Sequence, residues 1–167
     1  MPPSVFAGDE LTGDTKLACE AILCLSSGDR PSECAPSIRK FFSIYDKKPH
    51  KTIQKRKNFL ALCPVGESQG MPEYQDLLAN NAEKCSASRL NRDLLEKKVV
   101  QKWRGSHNDG VYIDVIYYRI SNKLPGYCES FYSHEYNQAV PKYVGSNEWV
   151  SQYIWNRNKN QFGHWAD

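Results

Sequence analysis

No run of about 18 apolar residues occurs in this 167-residue chain, so no part of it reads as a membrane-spanning helix. No Cys-x-x-Cys pair is present, which removes the closest-spaced ligand pattern of zinc sites. His50, His107, His134 and His164 lack metal-ligand spacing, and no metal or cofactor is expected. No fixed-period repeat and no low-complexity tract appears, which excludes a solenoid and a tethering linker. What remains is ordinary globular material: 40% hydrophobic and 25% charged residues, enough for one core in one domain of common size.

Against these absences stand six cysteines, Cys19, Cys24, Cys34, Cys63, Cys85 and Cys128. An even, rich set without metal spacing reads as three disulfides and therefore as an exported protein. Met1-Pro2-Pro3-Ser4-Val5-Phe6-Ala7 adds a Val-x-Ala spacing of the kind signal peptidase requires. Residues 1–12 are accordingly read as a remnant after signal-peptide removal, and the expected location is the periplasm.

Residues 13–98 read as helical. Asp14 suits the N-cap of a helix from Thr15 to Ser26, whose apolar residues cover most of its circumference and place it centrally. Pro36 suits the first turn of a second helix ending near Tyr45, with Ile38, Phe41, Phe42 and Tyr45 inward. Pro49 opens a third, to about Leu62, with Ile53, Phe59, Leu60 and Cys63 inward. Pro72 opens a fourth, and Ser88 caps a short fifth over Arg89 to Glu96. The texture then changes: Val99–Arg104 and Val111–Tyr118 read as strands of a hairpin with a six-residue connection, because β-branched and aromatic residues dominate. Residues 99–167 form this hairpin and an irregular aromatic segment, with a short helix over Glu148 to Trp155 and a polar, disordered tail. The expected fold is α+β, mainly α, as one domain.

Three helices joined by short loops gather Cys24, Cys34 and Cys63 at one end, with Cys19 two turns lower. Either Cys24–Cys34 with Cys19–Cys63, or Cys19–Cys34 with Cys24–Cys63, satisfies this sketch; the first is preferred. Cys85–Cys128 then ties the fourth-helix region to the C-terminal part.

Charge is unevenly spread. Ile38 to Lys57 holds eight bases against Asp46, a local +7 in a chain of net +3, so the remainder carries −4. Lys47, Lys48, Lys51, Lys55 and Arg56 form a candidate binding face for phosphates, lipopolysaccharide, acidic lipids or an acidic partner. Nucleic acid is a weaker alternative, because no stacking aromatics are interleaved with these bases. Ten aromatics between Tyr127 and Trp165 suggest a second candidate surface that includes Trp149, Trp155 and Trp165. A peptidoglycan-acting enzyme would need a carboxylic acid in an apolar setting, and Glu20, on the most apolar helix, is the candidate; a solvated stripe or a pair with Lys16 is the competing reading. A cysteine nucleophile would need a free thiol beside a histidine, and all six cysteines have partners available.

Three stretches carry a family resemblance. They are Leu11-Thr12-Gly13-Asp14-Thr15-Lys16-Leu17-Ala18-Cys19-Glu20-Ala21-Ile22-Leu23-Cys24-Leu25-Ser26; Cys34-Ala35-Pro36-Ser37-Ile38-Arg39-Lys40-Phe41-Phe42-Ser43-Ile44 with Arg56-Lys57-Asn58-Phe59-Leu60-Ala61-Leu62-Cys63-Pro64; and Pro125-Gly126-Tyr127-Cys128 followed by His134, Tyr136, Pro141-Lys142-Tyr143-Val144-Gly145 and Trp149-Val150. Together they resemble the TrbM family of conjugal-transfer proteins, with residues 66–109 least distinctive. The resemblance implies an exported protein of a plasmid type IV secretion system, acting in mating-pair formation or pilus assembly. The expected role is a non-enzymatic accessory protein whose partners are envelope proteins of the conjugation machinery or the outer membrane.

Overall fold

The structure, a computed structural model, describes residues 13–64, 69–158 and 161–167. The N-terminal remnant proposed for residues 1–12 lies outside the described residues, as does part of the loop after Pro64. The described chain is α+β and mainly helical, with three disulfides. Among its described residues no helix is long and apolar enough to cross a membrane.

Where the sequence shows no boundary, the chain gathers into two compact units, each discontinuous: residues 1–85 with 125–140, and 86–124 with 141–167. The first holds helices α1 (Gly13–Ser26), α2 (Ala35–Ser43), α3 (Pro49–Leu60), α4 (Met71–Asn81) and α6 (Gly126–Tyr132). The second holds α5 (Ala87–Asp93), β1 (Leu95–Gly105), β2 (Gly110–Ile120), β3 (Lys142–Val144), β4 (Val150–Ser151), α7 (Gln152–Arg157) and β5 (His164–Ala166).

In the first unit, Asp14 lies within the first turn of α1 and is not its cap, since Gly13, at φ +58°, already makes the entry. Its carboxylate there complements the helix dipole. Ala18, Ala21, Ile22, Cys24 and Leu25 are buried, but Leu23 is 71% exposed, so α1 is not enclosed all round. Pro36 and Pro49 open α2 and α3 as expected, because their missing N–H groups need no helical acceptor there. Tyr45 lies beyond α2 and is exposed; Phe41 is fully buried. The preferred cysteine solution is the one formed: Cys24–Cys34 closes the α1–α2 connection, and Cys19–Cys63 joins α1 to the end of α3. Cys85–Cys128 links the end of the α4 region to α6, as expected, and both cysteines belong to the first unit.

Tyr74 anchors this core with no exposure, flanked by the rings of Phe131, His134 and Tyr136. Ser26 Oγ donates to the Ile22 carbonyl and accepts from the Tyr74 hydroxyl. The Gln138 N–H donates to the Ser26 carbonyl at 2.7 Å, so a distant segment satisfies a helix end that water would otherwise have to cover.

In the second unit α5 is capped by Ser86, not Ser88; its Oγ accepts from the Arg89 N–H, and the helix stops at Asp93 because Leu95 enters a strand. The hairpin is longer than the sequence suggests, with β1 and β2 paired without interruption from Leu95↔Ile120 to Gly105↔Gly110. Four residues, Ser106 to Asp109, connect them, and Gly105 takes φ +120° with no room for a Cβ against the Asp109 carbonyl. The sheet order is β1-β2-β4. The expected helix over Glu148 to Trp155 forms later, as α7, since Val150 and Ser151 pair with β2. The tail is ordered, contrary to expectation: β5 pairs with β3. The physical cause is Asn91, whose side-chain amide accepts from the Trp165 N–H at 2.6 Å and donates to its carbonyl at 2.9 Å, as a neighbouring strand would.

Candidate interaction surfaces

The basic segment divides on folding. Lys47, Lys48 and Lys51 are exposed at and near the start of α3, with no ion pair among the described residues. Lys55 is spent on Asp46 at 3.0 Å, and Lys57 on Asp76 at 3.3 Å. Asp46 accepts from the Lys48 N–H and from Lys55, which together hold its carboxyl below the usual aspartate range. Arg56 is not a surface residue. It is buried, its guanidinium 5.2 Å from the Phe41 ring centroid and 5.7 Å from that of Phe42, and it donates to Glu83 and to the Phe42 carbonyl. Seven residues separate Phe59 and Thr52, so the buried stripe of α3 runs through Thr52, Arg56, Phe59 and Leu60, taking in a base that a polarity pattern alone places outside.

The tryptophan candidates also divide. Trp155 and Trp165 are buried. Trp155 stacks on Phe162 with ring centroids 5.6 Å apart, and Trp165 meets Tyr143 edge-on and donates its indole N–H to the Ser121 carbonyl. Gly163 lets this cluster close: a Cβ there would lie 2.1 Å from the Tyr143 hydroxyl. Only Trp149 keeps part of its surface, under the cations of Arg119 at 4.2 Å and Lys98 at 4.7 Å. The exposed aromatics of this segment are Tyr127 and Tyr153, the latter on α7 beside exposed Ile154.

The catalytic candidate Glu20 lies 3.9 Å from Lys16 one turn away, with its side chain one-third exposed. That is a solvated helical ion pair. His134 packs at a tilt against Tyr74, its Nδ1 accepting from the Tyr136 N–H. All six cysteines are bridged, so no thiol nucleophile exists. Among the described residues no cluster of His, Cys, Asp and Glu could hold a metal ion. The buried phenol of Tyr74 is pushed above the usual tyrosine range by desolvation, which its hydrogen bond to Ser26 opposes. It is packed among the rings of Phe131, His134 and Tyr136.

The hairpin is the surface that sequence reasoning missed. Residues 101–112 are all exposed, and Val99, Trp103, Val111 and Tyr112 are large apolar side chains among the exposed ones. Pairing in register puts Glu96, Lys98, Val100, Lys102 and Arg104 on one face with Arg119, Tyr117, Val115, Ile113 and Val111. The other face carries Lys97, Val99, Gln101 and Trp103 with Tyr118, Ile116, Asp114 and Tyr112. Glu96 is held by Arg119 at 2.8 Å, and Lys98 and Lys102 lie over the Tyr117 ring. Trp103 packs edge-on against its cross-strand neighbour Tyr112 at 5.1 Å and donates its N–H to the Ser106 carbonyl, which locks the tip. The signal was present as three bases alternating through a β-rich run, but in sequence it reads as an ordinary amphipathic strand.

No curated protein and no solved structure matches the chain. The TrbM family model matches residues 10–163, spanning both units, and so the chain belongs to the TrbM family and is a protein associated with conjugal transfer.

Proposed function

We propose that this protein is an exported, non-enzymatic accessory component of a plasmid conjugative type IV secretion system. It acts in the periplasm, binding an envelope protein of the transfer machinery or outer membrane during mating-pair formation or pilus assembly. The observation that carries the reading is the engagement of all six cysteines in disulfides within a chain of a conjugal-transfer family. Such bridges form and persist in oxidising compartments. The exposed cations Lys47, Lys48 and Lys51, and the exposed hairpin, supply binding surface. The test is crosslinking in the periplasm of donor cells, with identification of the captured protein by mass spectrometry. The expected result is an envelope component of the transfer machinery or outer membrane, with loss of transfer when the gene is deleted. Recovery of the protein in the cytoplasm with reduced cysteines would overturn the reading.

A further inference from the structure

We propose that the outer edge of β1 is a strand-acceptor site for an extended segment of a partner protein, in which alternate residues are acidic and the intervening ones apolar. The inference rests on the partner-binding reading above and names the surface and the chemistry of the partner.

The sheet order leaves the outer edge of β1 open along eleven residues, with no strand on it among the described residues. An open edge presents backbone N–H and C=O groups as a template for another strand. Proteins usually blunt such edges by keeping them short, bulging them, covering them or lining them with charge, above all lysine, and β1 carries only the last of these. This one is long, its pairing to β2 has no bulge, and its outer half is exposed on both faces. The Trp103–Tyr112 pair packs edge-on across the tip, and such packing lowers the ordering cost left to binding.

Charge selects the occupant. Lys98, Lys102 and Arg104 share one face and make no ion pair among the described residues; the carboxylate on that face, Glu96, is taken by Arg119. The other face offers Val99 and Trp103, each about half exposed, beside the same edge. A strand laid along β1 sets one series of alternate side chains beside the cations and the other beside Val99 and Trp103. Acidic residues suit the first series and apolar residues the second. A second copy of this chain is the poorer occupant. The antiparallel register that pairs all eleven β1 residues with their copies is centred on Val100 and sets Lys98 opposite Lys102 twice. The compensating pair, Glu96 with Arg104, also forms twice, and each would draw Glu96 off Arg119.

The test uses the full, disulfide-bonded protein and a short fluorescein-labelled peptide alternating Glu with Val or Tyr, with a Lys-for-Glu peptide as control. By anisotropy, the acidic peptide should bind, more weakly as salt rises, and the lysine peptide should not. Lys98→Glu with Lys102→Glu and Arg104→Glu should weaken the acidic peptide by about tenfold or more and let the lysine peptide bind instead. Lys98→Ala with Lys102→Ala, a milder change, should weaken the acidic peptide with the circular dichroism unchanged. Equal binding of the two peptides, or no effect of either variant, would overturn the proposal. So would duplex DNA or phosphatidylglycerol vesicles binding through the same cations while the acidic peptide does not, or a concentration-dependent dimer that the variants abolish. In donor cells, a photo-crosslinker at Gln101 should capture an envelope protein that carries such a segment. Capture at Lys51 or Tyr153 but not at Gln101 leaves the partner-binding reading standing and sinks the strand acceptor. Capture of no envelope protein at any of the three sinks the reading itself.

Discussion

Replacing Arg56 by alanine should destabilise the protein by about 2–4 kcal/mol, although its sequence neighbours suggest a dispensable surface base. The guanidinium packs on two rings, Phe41 and Phe42, and a partly buried cation–π contact contributes about 0.5–1 kcal/mol each. It also donates to Glu83 and the Phe42 carbonyl, and hydrogen bonds to charged groups stabilise by about 1.5–3 kcal/mol. The lower end of that range applies, because the Glu83 side chain is 44% exposed and regains water when Arg56 is gone. Removal therefore leaves no stranded buried charge, and the cost stays below that of breaking a fully enclosed pair. At about 2–4 °C per kcal/mol for a chain of this size, Tm should fall by about 4–16 °C. Urea unfolding followed by circular dichroism measures it, with the helical signal coming mostly from the first unit. Arg56→Met should recover part of the loss through the packed stem, and Lys51→Ala should cost less than about 0.5 kcal/mol. A wild-type midpoint for Arg56→Ala, or an equal loss for Lys51→Ala, would refute the account of Arg56 as an internal brace.

Deleting Cys19–Cys63, which closes a 44-residue separation, should cost about 4 kcal/mol, against about 3 kcal/mol for Cys24–Cys34 at a separation of 10. Denaturant midpoints of the paired Cys→Ala variants check this order, and the reverse order contradicts it. The raised pKa of Tyr74 gives stability that is fully present below the usual tyrosine value of 10.0 and is lost as pH rises through the higher folded value. Tyr74→Phe should therefore flatten part of the alkaline decline while costing about 1 kcal/mol at neutral pH; an unchanged alkaline slope would count against it. Glu20→Gln should leave conjugal transfer at wild-type frequency in mating assays, and loss of transfer by a folded variant would reopen catalysis. Asn91→Ala should loosen the C-terminus, read as faster hydrogen exchange at Trp165, since two bonds to its backbone are removed.

Much of the architecture is legible in local chemistry. Pro36 and Pro49 mark helix starts because proline needs no acceptor for an N–H. Val111 to Tyr118 reads as strand because branched and aromatic side chains suit a pleated surface. The candidate site was harder to read. Charge alone places Arg56 in solvent, whereas two phenylalanines brought from α2 make its burial favourable. Trp155 and Trp165 were taken for a patch because exposure of an aromatic depends on neighbours distant in sequence.

The sequence alone determined the class of the molecule: cysteines in an even set without metal spacing, no membrane-spanning run, helices before a hairpin, and the motifs of one family. These are properties of composition and short-range order, which each residue carries wherever it is placed. Tertiary structure alone decided the division into two units, the placing of Cys128 inside the first of them, and the assignment of bases to core or solvent. It also decided that, among the described residues, no strand covers the outer edge of β1 and that Lys98, Lys102 and Arg104 share one face without an ion pair. Pairing and burial join residues far apart in the chain, and no local pattern encodes which of them will meet.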